Sequence, residues 1–398
     1  MAFGHTLLME LGQEKIMNCK TLKPIKLLMI APSPPSVGGI TTWASYLIPY
    51  IAAHSEVELV HLDSAQRLRA IISTGFMQTL WTGVASWILL IFRLWKHLRR
   101  MRPDVIHSQT SARLGFFRDW VLIQLAHLYD VPVVIHFHFG RCSEIAKERN
   151  WEWKMLRRVV SAVDSVIVLD RKTVETLHAA GYHNVYLVPN PVAPSLEKIA
   201  AASASDSLQR KNKNVLFVGH VIAAKGVLEL VAACVDLPEV EELRLIGPVE
   251  PPFRAEVIDF AKRRDAGRWL VFDGVKNSAE VLEAMRTAAV LALPSHLESS
   301  EAFPIVLLEA MAMGCPVIAT TVAAMPDMLN ASDNDRAGIC VPPSDTAALR
   351  KALQQILENP TLGAQMGNCG RRRVVSNYNM DTVFKQYLDI YKTTSLKL

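Results

Sequence analysis

Short apolar runs alternate with helix-patterned stretches along almost the whole chain, and no other feature constrains the fold as much. In the first half, strands are expected at 26–31, 57–62, 105–108, 131–138, 165–169 and 185–188, each rich in Val, Ile and Leu. Stretches with apolar spacings of three and four separate them. Alternation of this kind is the pattern of a parallel sheet covered by helices on both faces. From 193 to 214 the chain turns to Ala, Ser, Lys and Asn and reads as a linker. The alternation then restarts. Strands are expected at 215–218, 243–246, 269–272, 290–293, 316–319 and 338–341, and helices at 226–235, 252–265, 279–286, 304–313, 345–358 and 361–374. A chain of 398 residues is too long for one ordinary core. It is expected to form two α/β domains, each a doubly wound parallel sheet. They should face each other across a cleft that holds ligand at the strand C-terminal ends.

The segment from Pro294 to Thr320 carries the strongest chemical signal: Pro-Ser, a short loop, Glu301-Ala-Phe-Pro-Ile-Val-Leu-Leu-Glu309-Ala-Met-Ala-Met-Gly-Cys-Pro-Val-Ile-Ala-Thr. Pro304 suits the first helical position, and Gly314 suits the stop. On that helix the neighbours of Glu309 are Ile305, Val306, Ala312 and Met313, so its carboxylate stands on an apolar face. There it must find strong hydrogen-bond donors or lose its charge. Glu301 lies just before the helix start, where free N–H groups favour anions. Hydroxyl-seeking carboxylates beside an anion-binding helix end suit a sugar nucleotide.

This segment resembles the Glu-x7-Glu signature of the family 4 retaining glycosyltransferases (glycosyl transferases group 1), which have the GT-B fold of two Rossmann-like domains. Ala302 replaces a common glycine, and the loop from His296 to Ser300 is longer than usual. The resemblance covers about residues 24–390. It implies an N-terminal extension at 1–24, an acceptor-side domain at 25–192, a linker at 193–213, a donor-nucleotide domain at 214–376, and a C-terminal helix within 377–398 that returns to the first domain.

The resemblance also implies roles for other groups. Gly219-His220-Val-Ile-Ala-Ala-Lys225-Gly226 follows a strand and matches a segment in which an arginine and a lysine hold the donor diphosphate. Lys225 carries over directly. His220 stands in the arginine's place, and histidine is mostly neutral at pH 7 unless an anion raises its pKa. Gly38 and Gly39 match a loop near the donor phosphates. The family's active-site histidine matches His138, with His136 two residues earlier on the same strand face. Arg141, just beyond, is an acceptor-side candidate along with His136. The implied donor contacts are Gly38, Gly39, His220, Lys225, Glu301, Phe303, Pro304, Ile305 and Glu309; the implied catalytic residues are His138, Glu301 and Lys225. His107 and Asn190 read as structural or cleft-edge residues.

No metal or other cofactor is expected. The two histidines of the 131–138 strand have no companion carboxylate or cysteine at ligand spacing, and Asp333-Asn-Asp335 reads as a turn. Six scattered cysteines show no disulfide framework and fit a reducing, cytoplasmic setting. The formal charge of +5 is modest and points to no nucleic acid. The stretch 76–92 is the one membrane candidate, but as a helix it spans only about 25 Å of a ~30 Å hydrocarbon core. Leu80, Val84, Trp87, Ile91 and Leu94 share one face, opposite Gln78, Thr82, Ser86, Arg93, His97 and Arg100. It is an amphipathic helix, either packed on a sheet or in peripheral contact with a membrane. The resulting expectation is hexosyl transfer from a UDP- or GDP-linked sugar to a glycan or lipid-linked acceptor. The alternatives are a non-catalytic GT-B partner subunit or a GT-B epimerase.

Overall fold

A computed structural model describes residues 23–34, 39–65, 76–110, 112–202, 213–235, 237–263, 269–297, 301–332 and 335–396. Six strands form the first sheet: β1 (Ile25–Ala31), β2 (Val57–Asp63), β3 (Val105–Thr110), β4 (Val133–Phe137), β5 (Ser165–Val168) and β6 (Val185–Leu187). They pair in parallel in the order β2-β1-β3-β4-β5-β6. Helices α1 (Gly39–Ala52), α2 (Phe76–Met101), α3 (Gly115–His127), α4 (Cys142–Glu148), α5 (Trp151–Ala162) and α6 (Arg171–Ala179) connect them. The central strands are apolar on both sides because both faces are covered. One face meets Leu94 and Leu98 of α2, Phe116 and Ile123 of α3, and Leu156 and Val159 of α5.

The chain then forms α7 (Pro194–Ala202) within the stretch read as a linker: Leu196 and Ala200, four apart, are buried, which holds this Ala-rich stretch helical. Residues 203–212 lie outside the described part, as does most of the expected N-terminal extension. The second sheet comprises β7 (Asn214–Val218), β8 (Glu242–Ile246), β9 (Leu270–Gly274), β10 (Val290–Leu293) and β11 (Val317–Thr320). After a small antiparallel pair, β12 (Asn330–Ser332) and β13 (Asp335–Arg336), comes β14 (Gly338–Val341). The order β14-β11-β10-β7-β8-β9 is again all parallel. Its helices are α8 (Val227–Val235), α9 (Pro251–Lys262), α10 (Ser278–Thr287), α11 (Ile305–Ala312), α12 (Met325–Leu329), α13 (Thr346–Glu358) and α14 (Pro360–Asn377).

The last helix, α15 (Met380–Ser395), returns to the first sheet. Phe384, Tyr387 and Tyr391 join Trp43, Leu47 and Ile51 of α1 in the core of the sheet's other face. Tyr391 Oη lies 2.6 Å from His107 Nδ1, and Ser165 Oγ lies 2.8 Å from Thr394 Oγ1. His107 is thus structural, as expected. The outgoing and returning segments also touch, with Val192 N–H donating to Tyr378 O at 2.8 Å.

Two local expectations shift. Pro304 caps α11 from outside (φ −68°, ψ 113°) instead of occupying its first turn. Gly314 does end the helix: its φ is +65°, and a Cβ there would stand 2.4 Å from the Arg371 guanidinium. The helix expected at 76–92 continues to Met101, and its buried stripe is Leu90, Leu94 and Leu98. Val84, expected on the packed face, is 39% exposed. Side chains before Thr82, including Leu80, lie outside the described residues.

Candidate functional site

The C-terminal ends of β7 and β10 bring the charged groups together. After β7, a single 3₁₀ turn at Ala223–Lys225 leads through Gly226 into α8. Gly226 has φ +71°, and a Cβ there would lie 2.0 Å from the Pro294 carbonyl oxygen. Only glycine lets the lysine loop lie against the chain leaving β10. His296 N–H donates to Ala224 O at 3.0 Å across the same contact.

Lys225 Nζ consequently reaches Glu301 and donates a hydrogen bond to its Oε1, with both side chains largely buried. Ser295 Oγ donates to the same carboxylate at 2.7 Å, and Thr320 Oγ1 donates to Ser295 O at 2.6 Å. Ser295 and Thr320 escaped the sequence reading, although both stand inside the motif. Short polar residues at strand ends, beside a carboxylate that needs donors, were the available signal.

Glu309 sits on α11, half-buried, and its carboxylate accepts no hydrogen bond among the described residues. Burial raises its pKa to about 7. Without donors, its charge is disfavoured by burial. Across the cleft, Tyr46 of α1 lies close enough for the Glu309 charge to add to the upward shift that burial imposes on its hydroxyl. Ile305, at the start of α11, packs against the first domain's core. Phe303 is core, with its ring edge-on to Tyr378 at 5.8 Å and its carbonyl accepting from Asn190 Nδ2 at 3.4 Å. Asn190 therefore joins the domains, while Pro304 is buried as the cap of α11.

On the first domain, His138 follows β4, with its N–H still donating to Thr110 O at 3.1 Å. Its ring lies 4.0 Å from that of His136 and 5.1 Å from that of Trp43, measured between centroids. The expected same-face pairing of the two histidines is therefore present. Burial, then His107, lowers the His138 pKa to about 3, and burial holds His136 well below its ordinary value. Both rings are neutral at working pH. His138 Nε2 and both ring nitrogens of His136 are buried without a hydrogen-bond partner. His136 packs among Trp43, His107 and Tyr387 beneath the surface and is less available to an acceptor than the sequence suggested.

Arg141 is committed elsewhere. It donates to the buried Glu152 carboxylate, which also accepts Arg113 N–H at 2.9 Å and so ties two loops together. Its partner lies eleven residues ahead and is met only through the turn between α4 and α5. His220 is exposed and has no ion pair among the described residues. Gly39 opens α1 with open space around the position a Cβ would take, and Gly38 lies outside the described residues. Asp333 of the Asp-Asn-Asp turn is outside them too. Among the described residues no three His, Cys, Asp or Glu side chains are arranged to hold a metal ion.

Two family models divide the chain between them: Glycosyltransferase Family 4 matches residues 37–196, and Glycosyl transferases group 1 matches residues 200–373. The chain belongs to the family 4 glycosyltransferases. Among curated family relatives, the glycogen synthase of Mycobacterium tuberculosis is 27% identical over 307 residues, 74% of this chain and 69% of that protein. The phosphatidyl-myo-inositol mannosyltransferase of Mycolicibacterium smegmatis is 34% identical over 213 residues, 52% of each chain. HepE of Anabaena, solved in complex with UDP, superposes with a TM-score of 0.69 at 15% identity, covering 93% of this chain and 100% of its own. Sucrose-phosphate synthase from Thermosynechococcus elongatus gives 0.68 at 21%, covering 93% and 98%. These neighbours establish the GT-B fold. In this glycosyltransferase, Lys225 and Glu301 meet across one sheet's strand ends, and Glu309 faces the N-terminal domain through Tyr46.

Proposed function

We propose that this glycosyltransferase is a retaining, metal-independent hexosyltransferase that takes its sugar from a UDP- or GDP-linked donor. Its acceptor would be a glycan or a lipid-linked saccharide, in polysaccharide or glycoconjugate synthesis. The domain of residues 214–376 would hold the donor and that of 25–192 the acceptor. The observation that carries this reading is the Lys225–Glu301 pair beside an unpartnered Glu309. The pair keeps a cation and a carboxylate together at the strand ends until a donor separates them, with the diphosphate going to Lys225 and sugar hydroxyls to Glu301. Ribose hydroxyls would supply the donors that Glu309 lacks. UDP bound to HepE, a protein of the same fold, supports a uridine donor. The synthases and mannosyltransferases among the relatives support a hexose.

In the proposed step, the bond from sugar C1 to the diphosphate oxygen breaks and its electron pair stays on that oxygen. Lys225 and the amino end of α11 stabilise the charge that develops there. An acceptor hydroxyl oxygen bonds to C1 from the same face, and its proton passes to the departing phosphate oxygen. His138, being neutral, would offer Nε2 to a sugar hydroxyl without adding charge. Isothermal titration with UDP-, GDP- and ADP-hexoses, followed by product analysis of the anomeric linkage, tests the reading. Binding of one donor series and an α-linked product from an α-linked donor would support it. Failure to bind any of them would indicate a partner subunit without catalysis, and an inverted product would remove the retaining mechanism.

A further inference from the structure

The outer surface of the α2–α3–α5 layer combines apolar exposure with one sign of charge. On α2, Val84, Ile88 and Phe92 recur every four residues and form one stripe, with Leu89 beside it. Ile88 is 66% exposed and Phe92 56%, values that a packed helix does not show for such residues. Next to α2, α3 turns Phe117, Trp120 and Val121 outward, each at least 40% exposed. Phe117 stacks on Trp151 of α5 with centroids 6.0 Å apart, which carries the apolar surface across to the third helix.

The outward charges carried by the three helices are all positive, although the exposed acids Asp130 and Glu148 stand beyond the end of α3 and before the start of α5. Helix α2 contains no acidic residue, and Arg93, Lys96, Arg99 and Arg100 are exposed along it. Helix α5 exposes Lys154, Arg157 and Arg158. The only acid of α3, Asp119, and the only acid of α5, Glu152, are buried and paired inward with Arg118 and Arg141. Every outward charge on the three helices is therefore cationic. Trp95 lies beneath Arg99, 5.0 Å from its guanidinium carbon, the amphipathic pairing suited to a headgroup boundary.

We propose that this layer is a docking surface for an anionic phospholipid bilayer, with the apolar stripe seated among the upper acyl chains and the cations at lipid phosphates. No helix among the described residues is long and apolar enough to cross a membrane, so attachment is peripheral. The surface includes α3 and α5 as well as the helix expected at 76–92. Helices α3 and α5 begin at the strand C-terminal ends, the end at which His138 lies. A docked bilayer would therefore lie beside the acceptor side of the cleft. That last consequence rests on the proposed transfer reaction; the docking itself does not.

The test is flotation of the full chain with vesicles of phosphatidylcholine alone and of phosphatidylcholine mixed with phosphatidylglycerol, at low and high salt. Binding is expected to the mixed vesicles and to weaken with salt. Ile88→Ser with Phe92→Ser, and separately Arg93→Glu with Lys96→Glu, should each reduce partitioning at least about tenfold. All four side chains are exposed, so the fold should tolerate both pairs. Titration of a soluble UDP-hexose should give the same affinity for parent and variants, which keeps failure of docking distinct from failure of the donor reading. Absence of vesicle binding, or binding indifferent to both pairs, overturns the proposal. So does self-association in sedimentation velocity that the Ile88/Phe92 pair abolishes without vesicle binding, because the surface would then join two copies of the chain.

Discussion

Glu309→Gln separates a ligand-binding carboxylate from a structural one, because the two roles move stability in opposite directions. Burial lifts the Glu309 pKa from 4.5 to about 7. The folded protein then holds a proton between those values that the unfolded chain has released, so stability falls as pH rises from 4.5 to 7 and is flat above. Each pH unit is worth about 1.4 kcal/mol, and the whole interval comes to about 3 kcal/mol. The glutamine variant lacks this loss. Relative to the parent it should gain up to about 3 kcal/mol at pH 8, with the gain vanishing towards pH 4.5. Donor affinity should move the other way. In the proposed reading ribose hydroxyls would bind the anion, so the parent must give up the proton, and its affinity should drop about tenfold from pH 8 to pH 6. The variant should bind about 1–3 kcal/mol more weakly at pH 8 and show a flat profile over that range. Urea denaturation and calorimetric titration at a series of pH values measure both. A parent with pH-independent affinity, together with a variant less stable at pH 8, would refute the reasoning and make Glu309 a structural anion.

Lys225→Ala should lower kcat on the order of 100-fold, as expected for one lost electrostatic stabiliser, and steady-state turnover within a factor of about two of the parent would remove Lys225 from the site. Arg141→Ala leaves the Glu152 carboxylate buried without its cation and should cost about 3–5 kcal/mol in denaturant unfolding; an unchanged midpoint with a raised acceptor KM would restore the acceptor role. His220→Arg supplies a permanent cation beside Lys225 and should bind donor at least as well as the parent, whereas His220→Ala should bind it more weakly, both read by calorimetric titration. Equal donor affinities for parent, His220→Arg and His220→Ala would show that Lys225 and the helix terminus hold the diphosphate alone.

The strands were legible because a parallel sheet buried on both faces needs unbroken Val, Ile and Leu, and few other structures do. Their ends were less so. Val131 and Pro132 read as strand, yet Val131 N–H is taken by Ala126 O at the end of α3, and Pro132 gives only its carbonyl, which accepts from Ile106 N–H at 2.9 Å, before β4 begins at Val133. The rotation of α2 about its axis was lost for a related reason. The sequence offers a wide apolar arc, and only the packed neighbours decide that Leu90, Leu94 and Leu98 face inward while Val84, Ile88 and Phe92 do not. Surplus apolar residues on that arc are what left an exposed stripe.

The site divides along a similar line. Lys225, Glu301 and Glu309 were readable because each breaks a local rule: a lysine at a strand-to-helix junction, and carboxylates at a helix start and on an apolar helix face. Partners distant in sequence were not. Tyr46 meets Glu309 only once α1 and α11 close on each other across the cleft, and Trp43 reaches His138 only after α1 folds over β4. Arg141 shows the converse case, since a cation next to a histidine at a strand end invites a ligand role, and its buried partner Glu152 is seen only in the fold. What distinguishes the two arginine readings is satisfaction. Glu152 already draws on Arg141 and Arg113 N–H, whereas Glu309 draws on nothing among the described residues. A half-buried carboxylate with its pKa raised by burial and no hydrogen-bond partner among the described residues, on a helix that also supplies the anion-attracting end, has its acceptor capacity unused, and this makes Glu309 the most discriminating position in the site.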